Sequence, residues 1–486
     1  MSRLPVVNLR TFDTLFRAER IADQPLALLS RIVGWSSRGG GEAVRVHFCA
    51  LRSADLRDCI LGSRLDLLAR AEEAFRLGQP VLLVGRFVPR QAEPPALHVV
   101  DIQPVRGASA LMCPRPEELT AARARLAELR QASVHNPDAL LEHVLREAQA
   151  LVGLRAAASR RYRQMQVALL LQCLSGTQDG PLPGQGGGPG DLTAGRRLAL
   201  LTLGRSGRGK KTLAQLAQLL SPLSVKMQGS SVDAGTLRGL AHRSAEGGLM
   251  IEPGLLMQAD GGVAIIEEFH ALRRHREPVH RALCEALDQG LVQPLGASEA
   301  VCEPLRCGAA IYLDMNLDAV LNGVVPGRTS QRLLDCPEFG TDLLSHMDVV
   351  ACVDAGNDDE SSARSELWSD SERPPARPVE EDGVQRQRDL QLLLCQVRDE
   401  IRQVRLDPVA EDLVSGFFDR SVGLTAGRGV DAAAFVRRGS LSLRRLCTAA
   451  ARMRLRDIAA PEDAHLALDL FSLKVETLAW LWQRRL

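Results

Sequence analysis

Residues 198–212 read LALLTLGRSGRGKKT. The first six form an apolar run of the length expected for a buried parallel strand, and an amphipathic helix is expected over 213–220. Between them lies a turn of glycine and basic residues. Strand, glycine-rich turn, lysine and helix in this order are the context of a phosphate-binding loop. Gly204, Gly207 and Gly209 permit backbone conformations that aim several N–H groups at one anion. The helix N-terminus adds partial positive charge, and Lys210 is long enough to reach the outer phosphates of ATP. The bland alternative for the same residues is a surface turn.

One position departs from the pattern G-x-x-x-x-G-K-[ST]. The hydroxyl that ligates Mg2+ should follow the lysine directly, and Lys211 stands there with Thr212 one residue later. One residue is a rotation of about 100° on a helix. Either the loop shifts so that Thr212 substitutes, or magnesium is held poorly. A second lysine can also balance phosphate charge without the metal. Composition makes the pair conspicuous, because Lys210 and Lys211 are two of only four lysines among 60 basic residues. Arginine serves wherever charge alone is needed, and the two side chains are not interchangeable.

About fifty residues on, GGVAIIEEFH (261–270) gives four apolar residues ending in two carboxylates. This describes a buried strand delivering acids to its C-terminal end. In a P-loop ATPase the first acid orients magnesium through water and the second polarises the attacking water. Glu267 and Glu268 are the corresponding catalytic candidates, with Thr212 and Glu267 the candidate Mg2+ holders.

The rest of the chain frames this core. Its 60 basic and 59 acidic residues exclude a histone-like or wholly acidic protein, and 3% aromatic content argues against base-stacking platforms. Eleven scattered cysteines without C-x-x-C spacing read as reduced, intracellular thiols rather than a zinc site. No signal core is visible, and no apolar stretch approaches the ~18 residues that span a bilayer. The expected organisation is a β-rich N-terminal domain over 1–110 and a helical linker with the start of the ATPase module over 111–178. A Gly/Pro-rich insertion (179–195) precedes the core at 196–354. An acidic disordered linker (355–388) and a helical C-terminal lid (389–486) follow. His270, His275 and His280 are evenly spaced, but steps of five share no helix face, so a metal ladder is not expected. Basic residues 273–281 are as well explained by a solvated helix face as by DNA contact.

Five segments, in order, resemble one family. AGTLRGL from Ala234 and EGGLMIEPGLLMQADGGVAIIEEF from Glu246 look like the minichromosome maintenance (MCM) ATPases. VHRAL from Val279 is similar to the helix that follows, LLLQCLSG from Leu169 to the segment before the loop, and SLRRLCTAAARM from Ser442 to the C-terminal helix. The likeness runs over roughly residues 145–475. It implies an α/β fold with an AAA+ P-loop core, a partial OB-like β domain before it and a helical lid after it. By the same likeness it implies ATP with Mg2+, sister subunits and DNA.

The departures bear on activity. The family's LLSRF arginine, which acts on a neighbouring subunit's phosphate, is matched by His346 in LLSHM. An arginine finger is worth roughly 10³–10⁵ in rate, so hydrolysis relying on this chain's own finger should be very weak. The sensor asparagine falls at Asp314, with Asn316 two residues on, and the second sensor arginine maps to Arg438, or Arg437 in the neighbouring register. The pore hairpin's lysine has no equivalent in QPLG (293–296), and the family's zinc module is missing. Such erosion is similar to the divergent MCM-domain-containing meiotic paralogue, whose Asp-x-Asp and Gln-Met-Asp resemble Asp314-Met-Asn316 and His346-Met-Asp348. That likeness implies a nuclear role in meiotic recombination and double-strand-break repair, with recombination proteins or MCM subunits as partners. Two other readings are an active heteromeric helicase subunit given its finger by a neighbour, and a scaffold that binds no nucleotide.

Overall fold

The computed structural model describes residues 6–8, 26–37, 44–49, 56–61, 80–88, 96–105, 107–153, 159–176, 197–243, 249–272, 276–296, 304–322, 340–353, 381–425 and 432–483. The expected insertion at 179–195 lies outside them, as does most of the acidic linker.

The N-terminal strands are β1 (Val6–Asn8), β2 (Leu26–Ser37), β3 (Val44–Cys49), β4 (Leu56–Leu61), β5 (Pro80–Val88) and β6 (Ala96–Pro104). Strand β2 pairs antiparallel with both β3 and β5, β4 pairs antiparallel with β3 and parallel with β6, and β6 pairs antiparallel with β5. Five strands therefore close on themselves with one parallel contact, the arrangement of an oligonucleotide-binding-type barrel. The sequence suggested only part of such a barrel; closure depends on the β4–β6 pairing, which no local pattern announces. Leu28, Ile32, Val81, Leu83 and Val99 are buried in it.

Three helices follow, α1 (Pro116–Ser133), α2 (Ala139–Val152) and α3 (Arg160–Leu174). The core then adds β7 (Ala199–Gly204), α4 (Lys210–Leu220), β8 (Ser224–Gln228), α5 (Ala234–Arg238), β9 (Gly239–Arg243), β10 (Leu249–Pro253), α6 (Leu255–Gln258), β11 (Val263–Glu267), α7 (Arg276–Gln289), β12 (Leu291–Val292), β13 (Leu305–Arg306), β14 (Ala310–Asn316), α8 (Leu317–Asn322), α9 (Thr341–His346) and β15 (Val349–Cys352). Five of these strands form a parallel sheet in the order β15-β7-β14-β11-β8. Both faces are covered, which is why its strands read as continuous apolar runs rather than alternations. Leu200, Ile265 and Tyr312 point to one hydrophobic cluster, and Leu201, Ile266 and Leu313 to the other.

The barrel and the core are joined through backbone. The first half of β2 is taken by β5, and beyond it Gly34 and Trp35 pair with Met250 and Leu249 of β10. Arg31, fully buried, reaches Asp260 at 3.8 Å.

The lid comprises α10 (Glu381–Glu400), β16 (Arg405–Leu406), α11 (Pro408–Thr425), α12 (Ala432–Met453), β17 (Ile458–Ala459) and α13 (Pro461–Gln483). Helix α10 begins inside the stretch expected to be linker. Its acidic opening, Glu381-Asp382, suits a helix N-terminus, where carboxylates meet the positive end of the dipole. Buried arginines clamp helix ends: Arg197 donates to the carbonyls of Ser175, Cys173 and Gly262, and Arg452 to those of Leu174, Ile401 and Arg402. Burial pulls the Arg197 guanidinium down to about 9 and Arg452 to about 10.

Candidate functional site

The sheet order puts the C-terminal ends of β7, β14 and β11 side by side, the edge at which parallel α/β sheets bind ligands. Strand β7 delivers the glycine loop, β11 delivers Glu267, and β14 lies between them with Asp314. Gly207 and Gly209 take φ values of 78° and 79°, the left-handed region that favours glycine. At Gly209 a side chain would also collide, because a Cβ there would stand 2.8 Å from the Tyr162 ring. Lys210 heads helix α4, and its Nζ donates to the carbonyls of Gly204 at 2.7 Å and Arg205 at 2.6 Å. The loop is thus wound around the lysine.

Glu267 is buried, and both carboxylate oxygens are engaged. Gln228 Nε2 donates to Oε2 at 2.8 Å, and Lys226 Nζ stands 3.4 Å from Oε1 and 3.3 Å from Oε2. Both partners lie on β8, where Gln228 is directly opposite Glu267. Glu268 has φ 53°, unusual for a residue with a side chain, and its N–H donates to Asp314 Oδ1 at 3.1 Å. Burial, with the Glu267 charge adding to it, raises the Asp314 carboxyl to about 6; the Glu268 N–H and Lys210 oppose the shift.

The other expected site residues are placed as follows. Lys211 is exposed one residue into α4. Thr212 faces Tyr162, whose phenol is pushed up to about 12 by burial, with a hydrogen bond from Thr212 opposing. Asn316 lies on the same strand as Asp314, but its Oδ1 accepts from the Asp318 N–H at 3.1 Å and so closes the first turn of α8. Arg438 donates to Ser345 Oγ at 2.5 Å and lies 3.4 Å from Asp288. His346, at the finger position, is buried with Nε2 2.8 Å from the same Asp288 carboxylate. Finger and second-sensor positions are therefore tied to one acid on α7. Arg437 has no described side chain.

Lys226, Gln228, Tyr162 and Asp288 escaped the sequence reading. Lys226 carried one signal, since it is the third of four lysines. Leu295 and Leu240, bridged to each other at the base of the β12–β13 hairpin, are both exposed, while residues 297–303 of that hairpin lie outside the described residues. His270 Nδ1 accepts from the Asn316 N–H and His280 stacks on Phe269, while His275 lies outside the described residues. Among the described residues, no three His, Cys, Asp or Glu side chains are grouped to hold a metal, and no helix is long and apolar enough to cross a membrane.

Magnesium is the ion that a P-loop implies, held by the hydroxyl after the lysine and by the first strand-end acid. These residues fit it poorly. The hydroxyl position carries Lys211, Thr212 is turned to Tyr162, and Glu267 is already paired with Lys226 and held by Gln228.

Asp314 supports a pH-dependent prediction. Its folded-state pKa of about 6 lies above the ordinary 3.8 of an aspartate. The folded protein therefore binds this proton more tightly than the unfolded chain. The resulting stabilisation is full below about pH 4 and is lost as pH rises through 6. At pH 7.5 the ionised carboxylate costs on the order of 3 kcal/mol relative to its protonated form. Asp314→Asn is expected to raise stability by about 3 kcal/mol at pH 7.5 and by only about 1 kcal/mol at pH 4.5. Thermal melts of both proteins at both pH values check this; equal offsets at the two pH values would refute it.

A parallel sheet in this order, with a glycine loop and lysine on β7 and acids on β11 and β14, defines a P-loop protein of the AAA+ arrangement. Comparison narrows the class. The MCM P-loop domain description matches residues 149–309. The DNA replication licensing factor mcm-5 of Caenorhabditis elegans is 26% identical over 166 residues, which are 34% of this chain and 20% of that protein. The match therefore spans about a fifth of that relative's length. The crystal structure of a full-length MCM homolog from Methanopyrus kandleri superposes with a TM-score of 0.59 at 20% identity, covering 94% of this chain and 80% of that one. Residues 149–309 thus resemble the MCM P-loop domain, and the fold is MCM-like.

Proposed function

We propose that the chain is a nucleotide-binding MCM-type subunit with little or no ATP hydrolysis of its own, acting on DNA together with partner subunits. The observation that carries this is the juxtaposition of the Lys210 loop with Glu267, Glu268 and Asp314 across three neighbouring strands. Weak turnover rests on His346, buried against Asp288 where a finger arginine would be needed, and on Arg438, engaged by the same carboxylate. Glu268 stays in place as the residue to polarise water, so a neighbour supplying an arginine would complete the site in a mixed assembly.

DNA association is proposed from the family likeness, and a translocating grip is not part of it, because no lysine lies between β12 and β13 (residues 293–304). A nuclear role in meiotic recombination and double-strand-break repair is likewise proposed from the likeness of residues 314–316 and 346–348 to the meiotic paralogue. Equilibrium binding of a fluorescent ATP analogue to the full chain, with single-turnover hydrolysis measured in parallel, tests the central claim. Saturable binding with turnover reduced by the roughly 10³-fold or more that a finger supplies is expected. No binding at millimolar analogue would sink it.

A further inference from the structure

The groups that hold magnesium in a P-loop site have other employment in this chain, and a lysine stands in the register of the metal-binding hydroxyl. We infer that the site takes its nucleoside polyphosphate as the metal-free anion, with the Lys211 ammonium supplying the charge that magnesium supplies elsewhere. The inference rests on the nucleotide-binding reading above and names the ionic form of the ligand.

Two independent observations converge. On the loop side, Lys211 occupies the register position of the metal-binding hydroxyl, and Thr212 is turned toward Tyr162, which also closes over Gly209. The rotation of about 100° between neighbouring helical residues keeps Thr212 from replacing that hydroxyl. On the strand side, Glu267 carries its own counterion. Lys226 spans both carboxylate oxygens and Gln228 holds one of them, so the acid that would orient a metal's water shell is balanced by a protein cation. A strand-end acid left without a metal beside the phosphates would repel them; Lys226, 3.3 Å from the carboxylate, offsets part of that repulsion. An unmetallated triphosphate meets Lys210, Lys211 and Arg208 on a loop without an acidic residue between 204 and 212. Lysine suits this task, being a compact point charge with rotatable donors.

The test is binding of a fluorescent ATP analogue to the full chain, in EDTA and in millimolar Mg2+. For the wild type the two Kd values are expected to agree within threefold. Lys211→Met, at an exposed position that should not disturb folding, is expected to weaken binding at least tenfold in both conditions. The double variant Lys211→Thr with Lys226→Met restores the hydroxyl and releases Glu267. It is expected to bind at least tenfold tighter with Mg2+ than without. A wild type that tightens tenfold or more on Mg2+, with binding still lost in Lys210→Ala, would overturn metal independence while keeping the nucleotide site. Unchanged binding in Lys211→Met would overturn the role of that lysine. No binding by the wild type in either condition would overturn the nucleotide reading and this inference with it.

Discussion

Lys210→Ala is expected to weaken ATP-analogue binding a hundredfold or more, about 2.7 kcal/mol, while leaving the fold intact. The ammonium sits where the loop winds around it, 2.7 Å and 2.6 Å from the carbonyls of Gly204 and Arg205. A polyphosphate seated on the loop N–H groups would share that ammonium, and charge-assisted hydrogen bonds are about twice as strong as neutral ones. Truncation removes both the charge and the donors. The cost to folding should be small by comparison, because Lys210 is only partly buried and one of its two carbonyl partners, Arg205, is exposed to water. Titration of the analogue against both proteins, with unfolding midpoints recorded alongside, decides the matter. Binding unchanged in the variant would show that the loop is a basic surface turn.

Asp348→Ala should have the largest effect on stability, about 3–5 kcal/mol. Asp348 is fully buried between the sheet and the lid. Its Oδ1 accepts from Arg445 of α12 at 2.6 Å, and its Oδ2 accepts from the Ala199 N–H at the start of β7 at 2.8 Å. Its own N–H donates to the Ala199 carbonyl at 2.8 Å. Lys474 of α13 is buried nearby and donates to the carbonyls of Ser345 and Met347. Burial pulls that ammonium down to about 8, and the Asp348 charge is the first influence opposing the shift. Truncation would leave the Arg445 guanidinium without its carboxylate, the Lys474 ammonium without its nearest opposing charge, and one strand N–H unsatisfied. Asp348→Asn keeps the acceptor for Ala199 and should lose less. Denaturant midpoints of the three proteins check the ranking; a loss below about 1 kcal/mol in the alanine variant would remove Asp348 from its proposed place as the tie between strand and lid.

The Asp348 result bears on how the motifs are read. In the sequence, His346-Met-Asp348 stood out for its likeness to a meiotic paralogue, and Asp348 passed as part of a degraded active-site segment. Its contacts give it a structural task, joining the loop-bearing strand to the lid. Asn316 followed a similar course. It was a sensor candidate by position, yet its side chain caps α8 while Asp314 faces the acids. Two residues on one strand point to the same face, so alternation alone did not separate them. The hydrogen bond to Asp318, set by where α8 begins, did.

The glycine loop, the strand ending in Glu267 and Glu268, and the helical character of the linker and the lid were legible because each is a local pattern. Continuous apolar runs mark buried parallel strands, apolar residues at helical spacing mark buried helix faces, and the turn residues lie within a few positions of the lysine they serve. The glycine loop and the acids proposed to serve it were therefore read from the chain's order alone. Other features depend on which strands become neighbours. The β4–β6 pairing closes the barrel, β10 joins β2, and the order β15-β7-β14-β11-β8 sets Lys226 and Gln228 against Glu267 from about forty residues away. Packing of α7 against α9 and the lid likewise ties His346 and Arg438 to Asp288. A charge's chemistry depends on what lies within a few ångströms of it, and long-range pairing, which no local periodicity encodes, supplies those neighbours.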